Sequence, residues 1–300
     1  MHVFILSVSG YIYSTSRLFD EAEKRGHDVS IIDHTKCSVF LNNGKKQIFF
    51  DGDDIINEPD VIIPRIGTSV HKHGTTIVKE FEMNGVYTTA SSKGITTSHS
   101  KINSLQLLNN HNLPIPNTVY SINKENVEEQ LALLGKAPVI IKLQEGTQGM
   151  GVMLAESKKS AISIIDTFNS MNKSIMLQEF VKESNSEDIR AFVVGDKVIA
   201  AMKRKGTKND FRSNIHRGGK GLKVTLTPQE IDIAVKAAHS LGLTVAGVDL
   251  IRSKKGPLIL EVNSTPGLQG IEAYTKINVA EEIIKYLEIT CSKKSTKIKK

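Results

Sequence analysis

The sequence predicts a mixed α/β and α+β chain, in which an N-terminal α/β domain with a small, mostly parallel sheet precedes units built on antiparallel hairpins. Three observations carry this expectation. The first 97 residues alternate short apolar strands with helices; the remainder is rich in strand pairs joined by short turns. At 300 residues the chain is about two domains' worth, and 39% hydrophobic residues suffice for substantial cores.

The opening is a β-α-β unit: strand Val3–Leu6, a helix near Ser16–Arg25 ending at Gly26, and strand Asp28–Ile32. Val39–Leu41 and Gln47–Phe50 flank Asn42-Asn43-Gly44, an Asn-Gly hairpin signal. Strand Val61–Ile63, helix Thr75–Met83 stopped by Asn84-Gly85, and strand Val86–Thr88 complete a region expected to help form a substrate surface. Ser7-Val8-Ser9-Gly10 carries no GxGxxG fingerprint, so nothing supports a dinucleotide site.

A second region opens with a helix over Ser98–Asn110, broken by Pro114-Ile115-Pro116. Strand Val139–Leu143 leads into Gly146-Thr147-Gln148-Gly149-Met150-Gly151, and Val152–Leu154 resumes a strand. Three glycines in six residues let backbone N–H groups approach an anion closely, although a flexible hairpin would use the same residues. Lys142, ending the apolar strand, adds a point charge for the same anion. This is no Walker A loop, because Val152-Met153 stand where Lys and Ser/Thr belong.

Helix Lys158–Asn169, strand Ile175–Glu179 and a hairpin of Asp188–Val194 with Lys197–Lys203 follow. The loop Gly206–Gly221 gathers Arg212, Asn214, His216 and Arg217, and its cations either face solvent or neutralise a phosphoryl group. Thr227-Pro228-Gln229-Glu230 is a capping box. The helix it starts runs to Leu241 before Gly242, with Ile231, Ala234, Val235, Ala238 and Leu241 on the packing stripe.

The most informative stretch is Val245–Gly267. Val245–Ile251 and Pro257–Val262 are joined by Ser253-Lys254-Lys255-Gly256, a hairpin that places Asp249 almost opposite Glu261. Alternation puts Asn263 on the Glu261 face. Two carboxylates and an amide oxygen make a hard oxygen site suited to Mg²⁺ or Mn²⁺. The alternative is a hairpin whose polar residues face water. Leu258, Ile259, Leu260 and Val262 weigh against it, since they suggest a strand covered on both faces, where acids are rare unless paired or metal-bound.

Net charge is +7, yet Ser292–Lys300 holds five lysines and no acid, leaving +2 for the rest. A solvated basic end is the simplest account, so direct nucleic-acid binding is not expected. Two cysteines, Cys37 and Cys291, provide neither a disulfide framework nor zinc spacing. No apolar run reaches about 18 residues and no signal-peptide profile opens the chain, so a cytoplasmic protein without membrane contact is expected.

In order, the Lys101 helix, VIIKLQEGTQGMGV, IMLQEFV, EDIRAFVVGDKVIAA, DFRSNIHRGG and VAGVDLIRSKKGPLILEVNSTPG resemble an ATP-grasp ligase, and closely its RimK branch. PRIGT at Pro64–Thr68 extends the resemblance over nearly the whole chain. It implies an N-terminal domain over 1–97, ATP between subdomains at 98–185 and 186–290, and a basic flexible tail at 291–300. Lys101, Lys142 and the loop glycines Gly146, Gly149 and Gly151 would meet ATP phosphates. The backbone of Glu179 and Phe180 would meet adenine, and Asp188 would lie near the ribose. Arg212, Ser213 and Asn214 would sit by the phosphates, with Arg212, Asn214 and Arg204 the catalytic candidates. Asp249, Glu261 and Asn263 would hold two Mg²⁺ or Mn²⁺ ions, Glu261 bridging them. Lys101 follows Ser100 where related ligases often have Asp.

The implied chemistry is carboxylate–amine ligation through an acyl phosphate. Glutamate would be added to a protein C-terminus, such as an acidic small-subunit ribosomal protein tail, or to a growing poly-glutamate chain. Lys203, Arg204, Lys205 and Lys208 are candidates for lining the groove that takes such a tail. Related enzymes are often oligomers, so a homo-oligomer is expected. The alternatives are a small-molecule amino-acid ligase of a biosynthetic pathway and a non-catalytic ATP-binding regulator.

Overall fold

The fold is taken from a computed structural model, which describes residues 1–121, 126–135, 137–144, 151–171, 173–206 and 219–298, with side chains to Ser292. Strand β1 (His2–Leu6), helix α1 (Tyr13–Lys24) and strand β2 (Asp28–Ile32) form the opening unit. Strands β3 (Ser38–Asn42) and β4 (Lys45–Phe50) make the Asn-Gly hairpin, with Asn43 at φ 49° and Gly44 at φ 84°. Both central residues are left-handed, as the twist of a two-residue hairpin demands. A two-residue strand, β5 (Asp53–Asp54), adds a third member.

Strand β6 (Val61–Pro64), helix α2 (His71–Met83) and strand β7 (Tyr87–Thr88) complete a parallel sheet of order β2-β1-β6-β7. Helix α2 starts one turn earlier than expected from the sequence. Gly74 hides that turn from a propensity reading, yet the close approach of the helix requires it: a Cβ there would lie 2.6 Å from Ile66 Cγ2.

One helix expected over Ser98–Asn110 is in fact two, α3 (Ser92–His99) and α4 (Lys101–Asn110). Ser100, extended at φ −97° and ψ 108°, separates them, and its hydroxyl caps α4 by accepting from Asn103 N. Serine thus supplies the cap that aspartate would, and Lys101 becomes the first residue of α4.

Strand β8 (Thr118–Ser121), helix α5 (Val127–Leu133), strands β9 (Val139–Leu143) and β10 (Val152–Ala155), helix α6 (Lys158–Ser170) and strand β11 (Ile175–Glu179) form the second unit. Its antiparallel sheet has order β10-β9-β11-β8. The sequence reading missed β8 and α5, which are only four and seven residues long.

The third unit contains β12 (Glu187–Val194), β13 (Lys197–Lys205), β14 (Lys220–Lys223), α7 (Pro228–Ser240), β15 (Val245–Ser253), β16 (Gly256–Asn263), α8 (Leu268–Thr275) and α9 (Val279–Ile298). Its sheet order is β14-β13-β12-β15-β16. The capping box forms as expected, but α7 buries Ile233, Ala234, Ala237 and Ala238 while Ile231 is exposed. Glu230 rotates the stripe, because it turns inward to pair with Arg252, Nε to Oε1 2.6 Å. Helix α9 continues to Ile298, so residues 291–298, expected to be a flexible tail, are helical. No glycine or proline interrupts them, and lysines suit a helix C-terminus.

The packing divides unevenly. Two apolar clusters weld the parallel sheet to the five-stranded sheet: one joins Phe4, Ile62 and Phe81 to Ala238 and Val248, the other Val3 and Ile63 to Phe192 and Ile284. The four-stranded sheet has a separate core of Val139, Ile141, Ile165, Ile175, Leu177 and neighbours. Among the described residues no helix is long and apolar enough to cross a membrane.

Candidate active site

Hairpin β15–β16 pairs Asp249 directly with Glu261 and Gly247 with Asn263. The pairing depends on an irregularity invisible to counting. From the turn, Ser253 faces Gly256 and Leu250 faces Ile259, a register that would set Asp249 against Leu260. A bulge at this point takes up Leu260 and brings the two carboxylates opposite each other. Asp249 is buried and Glu261 exposed, so the pair spans the boundary between sheet and solvent.

Asp249 is held by two arginines from neighbouring strands. Arg190, its cross-strand partner on β12, donates from Nε to Oδ1 at 2.7 Å and from Nη2 to Oδ2 at 2.8 Å. Arg204 on β13 donates from Nη2 to Oδ2 at 2.7 Å and forms a bidentate pair with Asp188, at 2.6 and 2.8 Å. Although burial opposes ionisation, these two guanidiniums bring the Asp249 carboxyl down to about 2. Arg204 is itself driven well above its ordinary range, against burial, by Asp249 and Asp188.

The lysines face this hairpin from other elements. Lys142 on β9 donates from Nζ to Gln178 Oε1 on β11 at 2.6 Å, and Gln178 Nε2 in turn donates to Thr118 Oγ1 at 3.0 Å. Burial brings the Lys142 ammonium down to about 8, with the Glu261 and Asp249 charges pulling back and Lys101 pushing further. Lys101 donates to Gln144 O at 3.2 Å; burial lowers it too, and Glu261 again opposes. Lys101, Lys142, Asp249 and Glu261 therefore share one electrostatic field between the two antiparallel sheets.

The other sequence-predicted residues divide into three groups. Glu179 ends β11, and its carboxylate accepts from Asn117 N and Nδ2 at 3.1 and 3.0 Å; Phe180 follows it outside the strand. Asp188 is engaged by Arg204. Arg204 itself turns away from Lys203 and Lys205, which both pair with Glu187. It is thus a residue that holds Asp249 and Asp188, whereas the lysines flanking it face a different side. Gly151 is left-handed at φ 72°, and its carbonyl accepts from Leu143 N at 2.8 Å. Gly146, Gly149, Lys208, Arg212, Ser213 and Asn214 lie outside the described residues.

Sequence reasoning missed Arg190 and Gln178. Arg190 had a signal: it stands two residues from Asp188 in an otherwise apolar strand, hence on the same face. Gln178 had none, because only the cross-strand arrangement beside Lys142 reveals its use.

The donor set fits a divalent cation. Three of the roughly four lone-pair positions of Asp249 are taken by guanidinium protons, leaving one on Oδ1. The Glu261 carboxylate accepts no hydrogen bond among the described residues, and Asn263 Oδ1 takes one, from Thr265 N at 2.8 Å. Hard oxygens with open positions, facing lysines suited to phosphates, match an ion that completes its shell from a nucleotide.

Two lysines facing a hairpin of oxygen donors suited to a divalent cation, between two antiparallel sheets, are the equipment of an enzyme that handles nucleotide phosphates. The chain belongs to the RimK-like ATP-grasp family: the model of the RimK-like ATP-grasp domain matches residues 98–287, and that of the RimK pre-ATP-grasp domain matches 1–95. It is an ATP-dependent, ADP-forming ligase. The chain is 50% identical over 297 residues to a probable alpha-L-glutamate ligase of Aliivibrio fischeri, covering 99% of this chain and 98% of that protein. A probable alpha-L-glutamate ligase of Vibrio cholerae is 47% identical over the same shares. Among solved structures, the ATP-grasp ligase PsnB, complexed with a phosphomimetic variant of its minimal precursor, Mg and ADP, superposes with a TM-score of 0.75 at 20% identity. That match covers 97% of this chain and 98% of PsnB.

Proposed function

We propose that the protein adds L-glutamate, through its α-amine, to the C-terminal carboxylate of an acidic protein tail or glutamate chain, using ATP. The relatives named as probable alpha-L-glutamate ligases support the amino acid. The observation that carries the chemistry is the shared field of Lys101, Lys142, Asp249 and Glu261. One acceptor carboxylate oxygen attacks the γ-phosphorus, ADP departs, and the glutamate amine attacks the acyl carbon, expelling inorganic phosphate. Bound at Asp249, Glu261 and Asn263, one or two Mg²⁺ or Mn²⁺ ions would supply positive charge to the nucleotide phosphates. The chain has little covalent work to do; positioning and charge neutralisation suffice.

Each described residue has a part in that scheme. Lys142, steadied by Gln178, and Lys101, at the start of α4, neutralise the phosphates from one sheet. Arg190 and Arg204 fix Asp249 in its ionised form on the other. Arg212, Ser213 and Asn214 are assigned to the phosphates, Asp188 to the ribose side, and the Glu179–Phe180 backbone to adenine. The test compares an acidic peptide with the same peptide amidated at its C-terminus, in the presence of ATP, Mg²⁺ and labelled glutamate. Mass increments of one or more glutamyl residues on the free peptide alone support the proposal. Labelled extension of a small amino acid with none of either peptide would favour a small-molecule ligase, and ATP binding without ADP formation a regulator.

A further inference from the structure

The parallel sheet contains a second charged feature that this scheme leaves idle. In the order β2-β1-β6-β7 the chain leaves β1 toward β2 on one side and returns to β6 on the other. The carboxyl ends of β1 and β6 therefore flank a topological switch point, the place where open α/β sheets form a ligand crevice. Arg65 is the first residue beyond β6 at that edge, its N donating to Leu6 O at 2.8 Å.

The Arg65 side chain is an uncompensated cation. Its Nη2 donates to Pro266 O at 2.9 Å, but Nε is buried without a partner, and no carboxylate among the described residues pairs with it. Burial alone brings its guanidinium down to about 10. Thr265 Oγ1, one residue from Pro266, is likewise buried and unpartnered. The surroundings are electropositive in backbone terms as well. Helices α1 and α8 both begin here, joined by Leu268 N donating to Ser14 Oγ at 2.9 Å, and neither has an acid in its first turn. The loop carrying Thr265 and Pro266 is firmly seated: Ser98 Oγ donates to Ser264 Oγ at 2.9 Å, and a Cβ on Gly247 would lie 2.9 Å from Pro266 Cβ.

A guanidinium that meets no carboxylate among the described residues, with a buried and unpartnered Nε and its Nη2 on the carbonyl next to an orphan hydroxyl in the chain, is a receptor for a planar anion such as a carboxylate. In the proposed reaction the nucleotide phosphates belong to Lys101 and Lys142, so the anion left for Arg65 comes from an amino-acid substrate. We propose that Arg65, with Thr265 Oγ1, binds the α-carboxylate of the amino acid whose amine attacks, a role that rests on the ligase reading above. Pro266 is three residues beyond Asn263, so an α-carboxylate fixed here sets its neighbouring amine at a defined distance from the cation-binding hairpin. Arg65 is then a specificity residue that also orients the nucleophile.

The test is a cycle of Arg65→Met against removal of the carboxylate from the substrate. Steady-state KM is measured for L-glutamate and for its α-amide, with KM for ATP and for the acceptor peptide alongside. The wild type should prefer glutamate over the α-amide by roughly 10- to 100-fold, the loss of one charge-assisted pair. In Arg65→Met that preference should vanish while KM for ATP stays within about twofold. If Arg65→Met does not fold, Arg65→Lys decides: a raised KM for glutamate with that for the α-amide unchanged supports the proposal. Equal losses on both substrates, no loss on either, or a loss confined to ATP or peptide would overturn it. Should the wild type use a different amino acid, the glutamate reading fails, but the same cycle with that amino acid and its α-amide still tests Arg65.

Discussion

Nucleotide binding should draw a proton into the site, and Lys142 is its principal destination. The free protein holds this ammonium at about 8 because burial outweighs the pull of Glu261 and Asp249. The neutral form is therefore the minor one at pH 7 and grows to the major one by pH 9. A triphosphate beside Lys142 restores the charged form, so ATP binding should take up a fraction of a proton that rises steadily from pH 7 to 9. Lys101, also lowered by burial, contributes with the same sign. Calorimetry of a non-hydrolysable ATP analogue with Mg²⁺, in buffers of different ionisation enthalpy, measures the uptake directly. Lys142→Met should remove most of it and weaken binding chiefly below pH 8. Uptake that stays flat from pH 7 to 9, or survives in Lys142→Met, would refute the assignment. The sign for stability is also fixed: between about 8 and 10.5 the unfolded chain binds more protons at this lysine, so its contribution to stability rises with pH in that window.

Three further outcomes follow from the same site. Glu261→Gln removes a charge from the exposed half of the proposed cation site, so ADP formation should fall by at least about 100-fold with the unfolding midpoint unchanged; near-normal turnover at ordinary Mg²⁺ would remove Glu261 from the site. Arg204→Met removes the bidentate guanidinium from Asp188 and leaves Asp249 with one guanidinium, and breaking such a buried cluster should cost about 3–5 kcal/mol in chemical denaturation. Because Asp249 is held at about 2, below an unfolded value near 3.9, its stabilising contribution is present above about pH 4 and lost as pH falls through 2. In Arg204→Met that loss should be smaller and complete at a higher pH, its onset near pH 4 being set by the unfolded chain; an unchanged acid limb would show that Arg204 does not hold Asp249. Gly151→Ala forces a side chain into a left-handed position within 2.9 Å of Leu143 Cδ1, so ATP affinity should drop. Overall stability should change by only about 1–2 kcal/mol, since the four-stranded sheet has a core of its own.

How far these features were legible depends on whether they were local. The β15–β16 hairpin was, since the turn residues, the alternation and both acids lie within a span of 23 residues. The bulge at Leu260 was not, because a skipped ladder position leaves no mark in composition. Ser100 was misread as helix interior because serine serves equally as interior or cap, and only its extended backbone decides. Lys142 could be nominated from its strand, but the partner that steadies it, Gln178, comes from a strand 36 residues away. Arg65 belonged to a recognisable PRIGT run, yet that its charge goes unanswered follows only from the meeting of β6 with the Pro266 loop, 201 residues later.

The central claim is that a substrate carboxylate, positioned between the Lys142 sheet and the Asp249–Glu261 hairpin, is phosphorylated before the amide forms. Acceptor peptide carrying ¹⁸O in its C-terminal carboxylate, incubated with ATP, Mg²⁺ and glutamate, tests this by mass spectrometry of the released inorganic phosphate. Phosphoryl transfer to that carboxylate places one ¹⁸O in the phosphate released with the first glutamate added to each peptide, later additions starting from the unlabelled carboxylate of the glutamate before. Phosphate free of label while the peptide gains its first glutamate would contradict the account.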